Sequence, residues 1–155
     1  MGRGTGLQLA IRTDRLTAFV AGGFPMVNGP YAEMLRITRT LEAGPAKLFG
    51  NEAPYQPESA RQFTTFYEGL RTFDDRAAQS KVRCPRLNFI GTADDVTLNG
   101  ELLTRMGETV ARHRAELEGF GWEVQLLEGL NHMEAVASGI AIPIVRQWLA
   151  RRAGD

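Results

Sequence analysis

Apolar positions along the chain alternate between two rhythms. Short continuous runs of about six residues are followed by longer stretches in which the apolar residues recur every three to four positions. Leu7, Ala10 and Ile11 place residues 6–12 in a short helix. Residues 16–21 (Leu-Thr-Ala-Phe-Val-Ala) form a compact apolar run closed by Gly22-Gly23-Phe24-Pro25, which predicts a strand ending in a loop. Met34, Leu35, Thr38 and Leu41 then predict a helix over 31–42, stopped by Gly44-Pro45.

Residues 46–56 have no clear period and contain Pro54, with Pro57 just beyond; the segment 46–80 reads as a lid or cap-like excursion with a connecting helix. Ser59 is expected to cap a helix over 60–70, whose Phe63, Phe66, Tyr67 and Leu70 form an aromatic stripe. That stripe suits core packing, or the lining of a pocket beneath a lid. Asp74-Asp75-Arg76 opens a further short helix, with capping and solvated charge as its expected roles.

A second strand, 86–90, is entered through Pro85 and left through Gly91. After Asp94-Asp95, one helix is expected over 101–118, with Leu103, Met106, Val110 and Leu117 on its apolar face. The third strand, 122–127, alternates enough to predict an edge position. Ile140, Ile144, Val145, Trp148 and Leu149 predict a final helix with Pro143 near its start and Arg151-Arg152 at its end. Strands alternating with helices imply right-handed crossovers and a parallel sheet, so the fold class is α/β within one domain.

In such sheets the working residues sit beyond the carboxyl ends of the strands. Three loops qualify: 22–29, 91–97 and 128–133. Two carry complementary titratable groups, Asp94 and His132. If their strands are neighbours, a carboxylate there accepts the imidazole Nδ1 proton and equips the histidine as a general base. Asp95 suits this less well, because adjacent side chains on a turn point differently. The other histidine, His113, lies in a charged helical stretch and reads as a surface residue.

Composition narrows the classes. Acids and bases balance at 18 each in 155 residues, with the bases scattered, so no nucleic-acid footprint is expected. The apolar run 135–145 is broken by Ser138, Gly139 and Pro143, too short to span a membrane. A single cysteine, Cys84, precludes an internal disulfide; a cytoplasmic location is the default and Cys84 reads as a buried thiol. No cofactor is expected, and no His, Cys or acid cluster has metal-ligand spacing. The cluster Gly2-Arg3-Gly4-Thr5-Gly6 lacks the preceding strand and Lys-Ser/Thr of a phosphate loop and suits tight helix packing better.

The succession Phe19-Val20-Ala21-Gly22-Gly23-Phe24-Pro25, then Cys84-Pro85 leading through Phe89-Ile90 to Gly91-Thr92-Ala93-Asp94, then Leu127-Glu128-Gly129-Leu130-Asn131-His132-Met133 resembles the second half of α/β-hydrolases. The resemblance implies that Asp94 is the acid and His132 the histidine of a triad performing serine-hydrolase-like, ester-type acyl hydrolysis on a small molecule. It also places residues 1–10 just after the nucleophile elbow, with Met1 at the position whose backbone N–H serves the oxyanion hole. The nucleophile is then absent: Ser59, Ser80 and Ser138 lie in or at the ends of predicted helices. Three classes follow: a hydrolase whose start lies upstream, a split half needing an N-terminal partner chain, or a non-catalytic domain keeping the fold. Without its neighbouring strand, the apolar run 16–21 is expected to self-associate through its open edge.

Overall fold

A computed structural model describes residues 3–49 and 57–153. Met1 therefore lies outside the described residues. Three parallel strands, β1 (Phe19–Gly22), β2 (Arg86–Gly91) and β3 (Trp122–Leu127), form one sheet in the order β1-β2-β3. The register is continuous: Phe19 faces Arg86, and Gly91 faces Leu127. The expected strand positions and the edge location of the third strand hold, although β1 begins three residues later than the apolar run suggests.

Alternation along the strands sorts the side chains onto two layers. Leu87 and Phe89 pack with Trp148, Ile144, Val145 and Val20 beneath the final helix, α7 (Ser138–Ala153). On the opposite face Phe19, Ala21, Ile90 and Trp122 join the main core. That core is covered by α1 (Arg3–Ala10), α2 (Tyr31–Ala43), α3 (Pro57–Glu68) and, after the short α4 (Asp75–Gln79), by α5, a broken helix whose two parts are Met106–Arg112 and Arg114–Gly119. A final one-turn helix, α6 (His132–Ala135), precedes α7. Among the described residues no helix is long and apolar enough to cross a membrane.

The stretch after Asp94 departs from the expectation. The helix predicted over 101–118 begins only at Met106 and breaks at His113; residues 95–105 form an antiparallel hairpin, β-strands Asp95–Leu98 and Glu101–Arg105. Its turn is Asn99-Gly100, both with positive φ (52° and 84°), the pair that a two-residue hairpin turn requires. Buried Val96 and Leu98 hold the first strand to the core. The helical spacing survives for Met106, Val110 and Leu117, all buried, while Leu103 belongs to the hairpin.

Smaller differences have local causes. The helix α1 starts at Arg3 and ends at Ala10 rather than covering 6–12. Ser59 lies in the first turn of α3, which starts at Pro57, where a missing N–H is harmless. Pro143 is inside α7, not near its start, and cannot donate to the Gly139 carbonyl. In the aromatic stripe, Tyr67 and Leu70 are core, with Phe63 and Phe66 packed against it. Asp74 caps α4 by accepting from Ala77 N at 2.9 Å. Asp75, however, is buried rather than solvated, and accepts from Gly29 N at 2.8 Å. Burial, then the charge of Asp75 and its hydrogen bond, push the Tyr31 phenol far above its ordinary range. His113 is partly buried and paired through Nδ1 with Glu116 at 3.1 Å, not a free surface residue. Cys84 is a buried free thiol at the amino end of β2.

Candidate active site

The carboxyl ends of β2 and β3 are stitched together. Beyond Gly91, the Thr92 N–H donates to the Leu127 carbonyl at 3.0 Å and the Ala93 N–H to Leu130 at 3.1 Å. In return the Gly129 N–H donates to the Thr92 hydroxyl oxygen at 2.8 Å. This closeness depends on Gly91: a Cβ there would collide with the Leu130 carbonyl. Gly107 serves the same purpose from below, since a Cβ on it would strike the Gly91 carbonyl.

Asp94 is fixed at its backbone before its side chain does anything. Its carbonyl accepts from Met106 N at 2.8 Å and Gly107 N at 3.2 Å, so the hairpin leaves and returns at this one residue. His132 is fixed by a cap. Asn131 precedes the one-turn α6 and accepts from Glu134 N at 3.1 Å, while the Glu134 carboxylate accepts from Asn131 N at 2.9 Å. This reciprocal capping box holds two backbone donors and sets the direction in which His132 leaves the chain.

Between these anchors the two side chains meet. Nδ1 of His132 lies 2.9 Å from both Oδ1 and Oδ2 of Asp94. A carboxylate only accepts, so Nδ1 carries the hydrogen and the imidazole tautomer is assigned. The Asp94 side chain is 0% exposed and that of His132 15%. A buried carboxylate needs such a donor, because an uncompensated charge in the interior is strongly destabilising. Asp95 turns away into the hairpin and stands 4.0 Å from Arg105. Phe49 completes the surroundings, its ring stacked on the imidazole with centroids 4.5 Å apart and planes at 11°.

Of the expected site residues, Asp94 and His132 are brought together, and Met1 lies outside the described residues. Sequence reasoning missed Phe49, Asn131, Glu134 and Thr92. The Asn-x-x-Glu spacing around His132 is a readable capping-box signal; nothing local marks Phe49. Among the serines, Ser80 ends α4 and Ser138 starts α7, while Ser59 lies within α3. Among the described residues no group of three or more His, Cys, Asp or Glu side chains is arranged to hold a metal ion.

The fold has a counterpart among solved structures. The chain is similar to the crystal structure of E-2-(acetamidomethylene)succinate hydrolase, with a TM-score of 0.56 over 96% of this chain and 63% of that one. The fold is that of an α/β-hydrolase. At 15% identity the likeness extends to the α/β-hydrolase fold and not to the substrate. This chain spans 63% of the length of that α/β-hydrolase. No protein-family model and no curated protein matches the sequence.

Proposed function

We propose that this chain is the C-terminal portion of an α/β-hydrolase and supplies the acid and base of its catalytic machinery. Asp94 orients the His132 imidazole and stabilises it when protonated; His132 takes the proton from a nucleophile and returns it to the leaving group. The reaction class is ester-type acyl hydrolysis of a small molecule. The observation that carries this reading is the contact of Nδ1 with the buried Asp94 carboxylate, at the strand ends where this fold does its chemistry.

The nucleophile and oxyanion donors belong to residues outside those described, with Met1 as one donor if further chain precedes it. None of the described serines stands on a strand-to-helix turn, and Cys84 is buried at the opposite end of β2. The segment 46–80, of which residues 50–56 lie outside the described residues, would then be a small cap within a single partial domain. A complementing N-terminal half, on the same or a separate chain, is the partner this reading requires.

The DNA upstream of the first codon and an ester assay test it together. An in-frame strand ending in Gly-x-Ser supplies the missing half; one ending in Gly-x-Asp keeps the fold but overturns the acyl reaction, because a carboxylate nucleophile has no proton to give His132. In the completed enzyme, p-nitrophenyl acetate turnover is abolished by His132→Ala and cut about 10⁴-fold by Asp94→Asn, the loss expected when the wrong tautomer is held. Turnover that survives both substitutions overturns the reading. The chain alone is expected to show no turnover that depends on His132.

A further inference from the structure

The stacking of Phe49 on His132 requires explanation, because the backbone is strained to achieve it. Phe49 has φ of 55°, in the left-handed region that a bulky side chain rarely enters. Such strain persists only where the surroundings impose it, and it collects at functional sites. Here the hairpin that follows Asp94 imposes it. Leu48 bridges to Leu98, and the Phe49 N–H donates to the Thr97 carbonyl at 3.1 Å. On the other side of Leu48, Asn99 binds both polar groups of the Lys47 backbone: its side chain accepts from Lys47 N at 2.9 Å and its N–H donates to Lys47 O at 2.8 Å. Residues 47–49 are thus held against the hairpin by a single antiparallel bridge, and Phe49 is delivered at its end onto the imidazole.

From this geometry we infer that Phe49 is a positioning residue for His132, and that the hairpin 95–105 holds it there. The inference rests on the Asp94–His132 pair being the acid and base. Asp94 constrains the imidazole within its plane, through Nδ1. Phe49 constrains it perpendicular to that plane, at 4.5 Å with an interplanar angle of 11°. One contact alone leaves a rotation open: a hydrogen bond at Nδ1 still permits the ring to rock about that bond. Stacking blocks the rocking and leaves the ring edge, where both nitrogens lie, to in-plane partners. Because Asp94 and Phe49 are both anchored on the hairpin, one element sets both constraints.

Nuclear magnetic resonance on histidine-labelled protein reads this directly, since the chain has 2 histidines and His113 serves as an internal reference. In the wild type the carbon-bound protons of His132 are shifted upfield by the Phe49 ring current, and Nδ1–H exchanges slowly. Phe49→Leu, which keeps an apolar side chain but no ring, moves those protons downfield and speeds Nδ1–H exchange about 2- to 10-fold, the range an aromatic pair energy represents. Phe49→Tyr restores both, with His113 unchanged throughout as evidence of an intact fold. The proposal is overturned if Phe49→Leu leaves the His132 shifts and exchange at their wild-type values, or if Phe49→Tyr fails to restore them. A wild-type His132 without the Nδ1–H tautomer overturns the Asp94–His132 reading itself, which separates the two failures.

Discussion

The sheet has two edges, and they are finished differently. At β3, Glu123 points toward α7 and collects donors from it: Trp148 Nε1 at 2.8 Å, Arg151 at 3.3 Å, and Arg152, whose guanidinium also lies 4.9 Å above the Trp148 ring. Beyond the strand end, the loops at 91–94 and 127–131 add further cross-links. At β1 the residues are Phe-Val-Ala-Gly, with no charge, proline or bulge, and no described strand pairs on the outer side. Natural edges are normally blunted by one of these devices. β3 carries one of these devices, the charged Glu123 held by α7; β1 carries none and has the character of an interior strand. This difference is what the proposed incomplete hydrolase would leave behind.

Removing the anchor of the finished edge is expected to have the largest effect. Trp148 is 1% exposed, so Trp148→Ala loses its packing on Leu87 and Phe89 as well as the bond to Glu123. A loss of about 3–5 kcal/mol in urea unfolding is expected. A loss under about 1 kcal/mol would mean that α7 contributes little to this side. Gly91→Ala, at the end of the central strand β2, attacks the loops that tie it to β3 by forcing the Leu130 carbonyl away, for about 1–3 kcal/mol. It should also separate Asp94 from His132, visible as faster exchange of the Nδ1 proton.

The bare edge is tested by sealing it. Since Phe19 N donates inward to Pro85, the alternation of a parallel ladder turns the Val20 N–H outward. Val20→Pro removes an outward donor without taking a bond from β2. Light scattering after size exclusion should show association of the wild type weakened by up to about tenfold in the variant, the value of roughly one hydrogen bond. A wild type that is monomeric at all concentrations would remove the contrast between the edges.

Much of this contrast was legible in the sequence. The three strands, the alternating pattern that puts β3 at an edge and the uncharged β1 run are properties of contiguous residues. The hairpin after Asp94 was not read, although Asn99-Gly100 announces it, because Leu103 extends the helical spacing of Met106, Val110 and Leu117 by one apparent turn. Over so short a span, a period of two and a period of 3.6 share positions.

The smallest expected effect is acid-dependent. Burial opposes ionisation of Glu123, but the hydrogen bonds from Arg152 and Trp148 outweigh it, and its carboxyl lies below the usual 4.5. Its stabilisation is therefore present above the unfolded-state value and lost as pH falls through the lower folded one. Unfolding curves from pH 7 to pH 3 should show a slope below about pH 4.5 that Glu123→Gln reduces. Because this carboxylate is substantially exposed, the change should be well under 1 kcal/mol. An unchanged slope would show that the α7 donors order the edge without stabilising it.

What the sequence determined by itself was local: which segments are strands, which loops follow them, and that Asp94 and His132 occupy two such loops. Hydrophobic period and turn residues carry that information because each is a property of neighbouring positions. Tertiary structure decided the rest. Only strand adjacency brings the Asp94 carboxylate to Nδ1 of His132, and only the folded hairpin carries Phe49, far away in the chain, onto the same imidazole. Asp75 and Glu123 look like ordinary surface charges in sequence, yet one is buried against Gly29 and the other gathers the donors of α7. Their partners are distant in the chain, so no pattern of neighbouring residues encodes the contact. It comes into being when the helices close over the sheet.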